Sequence, residues 1–384
     1  MENITAQTSP IKRVSFIDVQ ALHAEMREEI LTALAKVLDS GAFILGENVR
    51  AFEEEFARFC GSPTGVAVGS GTDALVLALE ALGIGQGDEV IVPVWTFVAT
   101  AAAVCHVGAT PVFVDCAPDS YLLDLKQVAA RITSKTKAII PVHIYGEAAD
   151  TEAVQRIIGD RRIKIIEDVA QAAGATLRGR TAGSIGHAGC FSFYPTKTLG
   201  ACGEGGMVLT GDPEIAKRIK HFRNQADDTT IGGKKYHHSA VGYNSRLQEM
   251  QAAILRIKLR RLADWNAHRI ATAQIYRDLL SDCPIKLPRV TADGSHVYSL
   301  FTIRAPHRDE LVAWLGQHNI GTATCYPVPL HLQPAYRPLG YKEGDFLTAE
   351  GYAKEVLSLP MHPTLTADEA AYVAEMIKAF FRGK

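Results

Sequence analysis

The chain has 384 residues, 47% of them apolar and 21% charged, with a formal net charge of −2. That length accommodates two domains and a large core, and that balance excludes a disordered chain or a basic field for nucleic acid or an anionic membrane. The seven cysteines are scattered, with neither paired spacing nor a Cys/His ligand pattern, so no disulfide frame and no metal site is expected and a reducing cytoplasm is.

Residues 1–13 read as a loose polar tail lacking the apolar core of a signal peptide. Helical periodicity runs over residues 19–38, a turn follows at 41–46, and a second helix covers 49–59. A short strand at 66–68 leads into Gly69-Ser70-Gly71-Thr72-Asp73, after which Leu75, Leu79 and Leu82 fall at helical spacing. Glycines where a strand turns into a helix let backbone N–H groups meet an anion; an ordinary turn with a good N-cap is the alternative. Residues 90–107 are almost wholly apolar and about long enough to span a bilayer. Pro93 interrupts them, and Thr96, Thr100 and His106 are spread along them, so a buried strand at 89–92 followed by an Ala-rich helix is the better reading. Trp95 and Phe97 close that strand, where an aromatic ring either stacks on a flat ligand or fills the core.

Strands at 111–115 and 137–142 enclose a helical stretch at 124–132. His143 follows, as a site residue or as a satisfied turn histidine. A helix at 151–158 leads to Lys164-Ile165-Ile166-Glu167-Asp168, and Cys190-Phe191-Ser192-Phe193-Tyr194-Pro195-Thr196-Lys197 reads as a further strand halted by Pro195. Strand alternating with helix predicts an α/β fold with a mostly parallel sheet, whose ligands lie beyond the strands' C-terminal ends. There the two strands deliver a carboxylate, Asp168, with Gln171 three residues on, a hydroxyl, Ser192, and an amine, Lys197. Such an amine forms a Schiff base with the aldehyde of pyridoxal 5′-phosphate, and such an acid keeps the pyridine nitrogen protonated so that the ring acts as an electron sink.

The glycine run 200–206 opens no helix and lacks the spacing of a dinucleotide fingerprint. Strand 207–210 and helix 213–222 precede a long polar loop, 224–241, containing His237 and His238, a pair read as substrate-side or exposed because no third metal ligand is in sight. Residues 242–247 are expected to start a long helix through Trp265. Strand-like alternation at 296–303, a helix at 308–317 and a last helix with a Thr366/Glu369 capping box make up the remainder. The expected division is a large domain, 14–263, and a smaller C-terminal α+β domain, 264–384.

Glu167-Asp168-x-Ala170-Gln171, Ser192-Phe193-x-Pro195-Thr196-Lys197 and Gly203-Glu204-Gly205-Gly206, in that order, resemble the DegT/DnrJ/EryC1/StrS family of sugar aminotransferases. The resemblance runs from about Phe16 to Pro363. It implies the fold-type-I pyridoxal-phosphate architecture, a homodimer with composite active sites, and amination of a nucleotide-linked keto-sugar by L-glutamate through pyridoxamine 5′-phosphate, a step of deoxyamino sugar biosynthesis. It also implies that the amides of Gly71 and Thr72 hold the cofactor phosphate, that Phe97 stacks on the ring, that Gln171 meets its phenolic oxygen and that Asn244 reaches the phosphate of the neighbouring subunit. Tyr326 and His331 match a segment near the sugar; Trp95, His143 and His237 are further substrate candidates. The chain departs from the family at Thr198, where asparagine is usual, and at Val169, where a smaller residue is. Lys197 argues against the family's dehydratases, which carry histidine at that position. A 4-keto substrate, a dehydratase and a non-catalytic regulator of the same fold are the alternatives to the expected 3-keto-6-deoxyhexose on a thymidine diphosphate carrier.

Overall fold

A computed structural model describes residues 13–289 and 293–383. The tail read at 1–13 lies, except for Arg13, outside them. The chain opens with helices α1 (Val19–Ala24), α2 (Arg27–Ser40) and α3 (Glu47–Cys60). The single helix expected over 19–38 is thus two. Met26 leaves helical geometry (φ −113°, ψ 7°) and turns its side chain into a buried cluster with Ile254, Ile257 and Trp265.

Strand β1 (Thr64–Val68) then begins an alternation with α4 (Gly71–Ala81), β2 (Glu89–Pro93), α5 (Val98–His106), β3 (Thr110–Val114), α6 (Leu125–Arg131), β4 (Thr136–Ile139), α7 (Thr151–Ile158) and β5 (Lys164–Asp168). A two-residue hairpin, β6 (Thr176–Leu177) and β7 (Arg180–Thr181), precedes β8 (Ala188–Ser192) and β9 (Gly206–Thr210). Seven strands form one sheet in the order β1-β9-β8-β5-β4-β2-β3, in which β9 alone runs against the rest. The apolar stretch 90–107 is accounted for by β2 and α5, and no helix among the described residues is long and apolar enough to cross a membrane.

Both faces of the sheet are covered, so its strands are apolar on both sides. Alternation along β8 sends Ala188 and Cys190 into one core cluster with α4 and α5, and Phe191 and, beyond it, Phe193 into a second cluster with α3. Phe56 meets Phe191 and Phe193 edge-on at 4.9 and 5.2 Å, contacts worth about 0.5–1.5 kcal/mol each beyond area burial. This packing anchors the strand that ends beside Lys197.

After α8 (Pro213–Phe222) come α9 (Glu249–Leu259) and α10 (Leu262–Leu280). The helix expected from residue 242 starts only at Glu249, because the backbone before it is used otherwise: Tyr243 N–H donates to Phe222 at 2.7 Å and Ser245 N–H to Arg223 at 2.9 Å. β10 (Phe301–Arg304), α11 (Arg308–Gln317), α12 (Leu347–Glu355), β11 (Val356–Leu359) and α13 (Ala367–Arg382) complete the chain. The strand expected at 296–303 is confined to β10. His296 and Tyr298 stack at 4.0 Å, and His296 Nδ1 accepts the Tyr298 N–H, which bends the chain out of extension there. Packing crosses between the halves: Val14 joins the C-terminal cluster, whereas Leu330, Tyr336 and Tyr352 join the large sheet's.

Burial pushes the His296 imidazole down to about 3, and its accepting Nδ1 marks the neutral form. The unfolded chain therefore binds a proton that the folded chain refuses between about pH 6.5 and 3. Stability is full above that window and is expected to fall by about 1.4 kcal/mol per pH unit within it. Urea unfolding at several pH values measures the slope, and His296→Gln should flatten it; an unchanged slope would count against this assignment.

Candidate active site

The C-terminal ends of β1, β2, β5 and β8 and the start of β9 meet at one edge of the sheet, with Val68 and Ser192 both registered on Gly206. The turn after β1 is drawn tight. A Cβ on Gly206 would stand 2.2 Å from the Ser70 carbonyl, and one on Gly71 would stand 2.5 Å from Ser192 Cβ, so only glycine permits the approach. Ser70 caps α4 by accepting the Asp73 N–H at 3.0 Å. The N–H groups of Gly71 and Thr72, in the first turn of α4, take no partner among the described residues. Ser245 Oγ accepts the Gly69 N–H at 2.9 Å and donates to Asp73 at 2.7 Å, fixing the turn to the segment that carries Asn244.

Adjacent carboxylates on β5 part company because a strand alternates. Glu167 faces α7, where it is fully buried and accepts from Thr151 Oγ1 (2.9 Å), His143 Nε2 (3.1 Å) and the N–H groups of Ile185 and Gly186 (2.8 and 2.7 Å). Burial alone would raise its carboxyl; the bonds from His143 and the two amides outweigh that and lower it. His143 is the satisfied turn histidine: its Nδ1 accepts the Ala149 N–H, its Nε2 holds Glu167, and its ring is fully buried. Asp168 faces α5 instead. Its Oδ2 accepts from Thr100 Oγ1 at 2.7 Å, and its Oδ1 from the Ala170 N–H at 3.1 Å.

Asp168 lines a cavity of about 370 Å³ together with Gly71, Thr72, Phe97, Gln171, Ser192, Lys197 and Tyr326. Thr96, Tyr194, Thr196 and Glu204 also line it. Lys197 is half-buried, and loss of solvent lowers its amine below the ordinary lysine value against the opposing pull of the Asp168 charge. Gln171 is engaged at both ends: its Oε1 accepts the Tyr145 N–H at 2.7 Å and its Nε2 donates to the Tyr326 hydroxyl at 3.0 Å. Tyr145 itself has left-handed geometry (φ 58°). Phe97 is exposed at the rim, 6.2 Å from the Tyr326 ring.

Five residues singled out in the sequence are not among those lining the cavity. Trp95 is buried beneath it, its Nε1 donating to the Tyr145 hydroxyl at 2.9 Å and its ring edge-on to Tyr326. His143 lies behind β5 as described. His331 is buried with its Nε2 2.9 Å from Glu350. His237 is on the 224–241 loop, where it pairs with Asp228; that hydrogen bond and one from Ser239 pull the Asp228 carboxyl down to about 2. The loop is thus stapled to itself, and it displays Tyr236 and Val241 almost fully exposed. Asn244 is exposed as well, its backbone bridged to Asn224. Sequence reading missed Thr100. In the sequence it stands only as a polar residue within the apolar stretch 90–107.

A phosphate-sized anion matches the free amides of α4 and the Ser192 hydroxyl, which the two glycines allow to come close together. A flat ring with a protonated nitrogen matches Asp168 and the rim aromatic Phe97, and an aldehyde matches Lys197. The cavity volume lies within the range of small-ligand sites. The residues present therefore fit pyridoxal 5′-phosphate.

Residues 24–378 match the model of the DegT/DnrJ/EryC1/StrS aminotransferase family. Over 367 residues the chain is 46% identical to the dTDP-3-amino-3,4,6-trideoxy-alpha-D-glucose transaminase of Streptomyces venezuelae, covering 95% of this chain and 96% of that one. Over 370 residues it is 44% identical to the UDP-N-acetyl-3-dehydro-alpha-D-glucosamine 3-aminotransferase of Acidithiobacillus ferrooxidans, covering 96% and 98%. The crystal structure of DesV from S. venezuelae in complex with a ketimine intermediate is similar with a TM-score of 0.93 at 46% identity, covering 96% of this chain and 98% of that one.

Proposed function

The chain belongs to the DegT/DnrJ/EryC1/StrS aminotransferase family, and from that premise we propose that it aminates C3 of a nucleotide-linked 3-keto-6-deoxyhexose on a thymidine diphosphate carrier, with L-glutamate as donor. It is a pyridoxal-phosphate-dependent nucleotide-sugar aminotransferase, cycling through the pyridoxamine form. The observation that carries this reading is the convergence of Lys197, Asp168 and the α4 amides on one cavity. Carbon 3 is supported by the names of the two relatives described above, one naming a dTDP-linked and the other a UDP-linked sugar.

When bound, pyridoxal phosphate supplies an aldehyde and an electron-withdrawing ring. Gly71, Thr72 and Ser192 would hold its phosphate and Asp168 the proton on its ring nitrogen. Lys197, its amine poised by desolvation, would take the proton from the substrate carbon and return it at C4′ as general base and then acid. Phe97 and Tyr326 would restrict the ring and exclude water. The Lys197 amine is what a dehydratase would dispense with, and a regulator would need neither it nor Asp168. The test is incubation of the purified protein with L-glutamate and matched 3-keto and 4-keto sugars on thymidine and uridine diphosphate carriers, locating nitrogen in the product by NMR. Amination only at C4, only on the uridine carrier, or only of a free sugar refutes this substrate.

The homodimer, the cytoplasmic location and the division at 263/264 belong to the same proposal. Asn244 supports the shared site: it is exposed, near the α4 turn through Ser245, yet not among the residues lining its own cavity. The exposed Tyr236 and Val241 give the same face an apolar surface for a second copy. Mixing Lys197→Ala chains with Asn244→Ala chains should return about a quarter of wild-type activity, since half the dimers then carry one intact site. No recovery despite demonstrated chain exchange, with each variant impaired alone, would count against a shared site.

A further inference from the structure

Resting on the reading of Asp168 as partner of the ring nitrogen, we propose that Thr100, and Thr96 through it, are positioning residues that set the orientation and charge field of the Asp168 carboxylate. Thr100 is fully buried on α5, and Thr96 is 3% exposed. The direction of their hydrogen bonds follows from proton counting. Thr100 has one hydroxyl proton, and the acceptor-only carboxylate takes it at 2.7 Å. The 2.9 Å contact between Thr96 Oγ1 and Thr100 Oγ1 must then have Thr96 as donor. The result is a two-hydroxyl relay whose dipoles both run toward Oδ2, each bond strengthening the next.

The relay is specific to this use. A threonine inside a helix commonly returns its hydroxyl to the carbonyl four residues back; here the bond goes to a strand 68 residues away in sequence. With Oδ1 held by the Ala170 N–H, both carboxylate oxygens are fixed by donors from within the protein, and the group cannot turn about its own bond without losing one. The same segment presents Phe97 at the cavity rim, so one short stretch, 96–100, supplies both a rim aromatic and the hydroxyls that hold Asp168.

Three variants test this: Thr100→Val, which keeps the shape and loses the donor; Thr100→Ser, which keeps the donor; and Thr96→Val, which removes only the outer hydroxyl. Holoenzyme reconstituted with pyridine-15N-labelled pyridoxal phosphate reports the ring-nitrogen proton directly, alongside kcat and KM. Thr100→Val is expected to lower kcat about tenfold with KM within about twofold, and to move the 15N resonance toward that of an unprotonated ring. Thr96→Val should move both in the same direction, by about threefold in kcat, and Thr100→Ser should restore both. A folded Thr100→Val protein with unchanged resonance and kcat, or no rescue by serine, overturns the inference. Asp168→Asn separates the two levels: a shifted resonance there with none in either valine variant sinks only the threonine relay, whereas no shift in Asp168→Asn sinks the reading it rests on.

Discussion

Replacing Lys197 by alanine is expected to abolish turnover, by a factor on the order of 10⁴ or more, while the protein still folds. The local fold does not depend on the amine. The turn is closed by backbone bonds, Lys197 N–H to Tyr194 at 2.9 Å and Ala201 N–H to Phe193 at 2.8 Å, and is anchored by the buried side chains of Phe193 and Leu199. Burial disfavours the charged amine, so its removal relieves a cost. Thermal unfolding should stay within a few degrees of wild type, and the cofactor should remain bound without a covalent link. In the wild type, borohydride reduction followed by peptide mapping should place the cofactor on the peptide containing Lys197. Recovery of label on another lysine would contradict the assignment.

Asp168→Asn is expected to lower kcat by about 10²–10⁴-fold with little loss of stability. The amide oxygen can still accept from Thr100, so the packing around α5 survives, and only the acceptor for the Ala170 N–H is lost. A neutral amide cannot hold a protonated pyridine nitrogen, and the developing negative charge at the reacting carbon then has no adequate sink. Near-normal turnover with cofactor bound would remove Asp168 from the role given to it.

How much of this was legible in the sequence follows from the range of the interactions involved. Strand alternation is local, so Asp168, Ser192 and Lys197 could be placed at strand ends, and the polar turn at Gly71 and Thr72 could be read as an anion site. Hydrogen-bonding between distant elements is not local. Nothing near Thr100 signals that its hydroxyl meets Asp168, and nothing near His143 decides between a site role and a turn role; both contacts come from how β4, β5 and α5 are brought together in the fold. The same holds for Gln171, a cofactor ligand in the sequence reading, which in the structure also ties Tyr145 to Tyr326. Helix boundaries differ where the backbone finds other partners, as before α9, where the Tyr243 and Ser245 N–H groups pair with the carbonyls of Phe222 and Arg223. His237 and His331 are each paired to a carboxylate: Asp228 lies on the same loop as His237, and Glu350 also accepts the N–H groups of Gly344 and Phe346.

The most direct test of the central claim needs no sugar. The holoenzyme should be yellow, and addition of L-glutamate alone should bleach the visible band as the amino group passes to the cofactor, releasing one 2-oxoglutarate per site. A nucleotide-linked 3-keto sugar should then restore the band. A band that persists through glutamate addition, with no 2-oxoglutarate formed, would contradict an aminotransferase using that donor and built on Lys197 and Asp168.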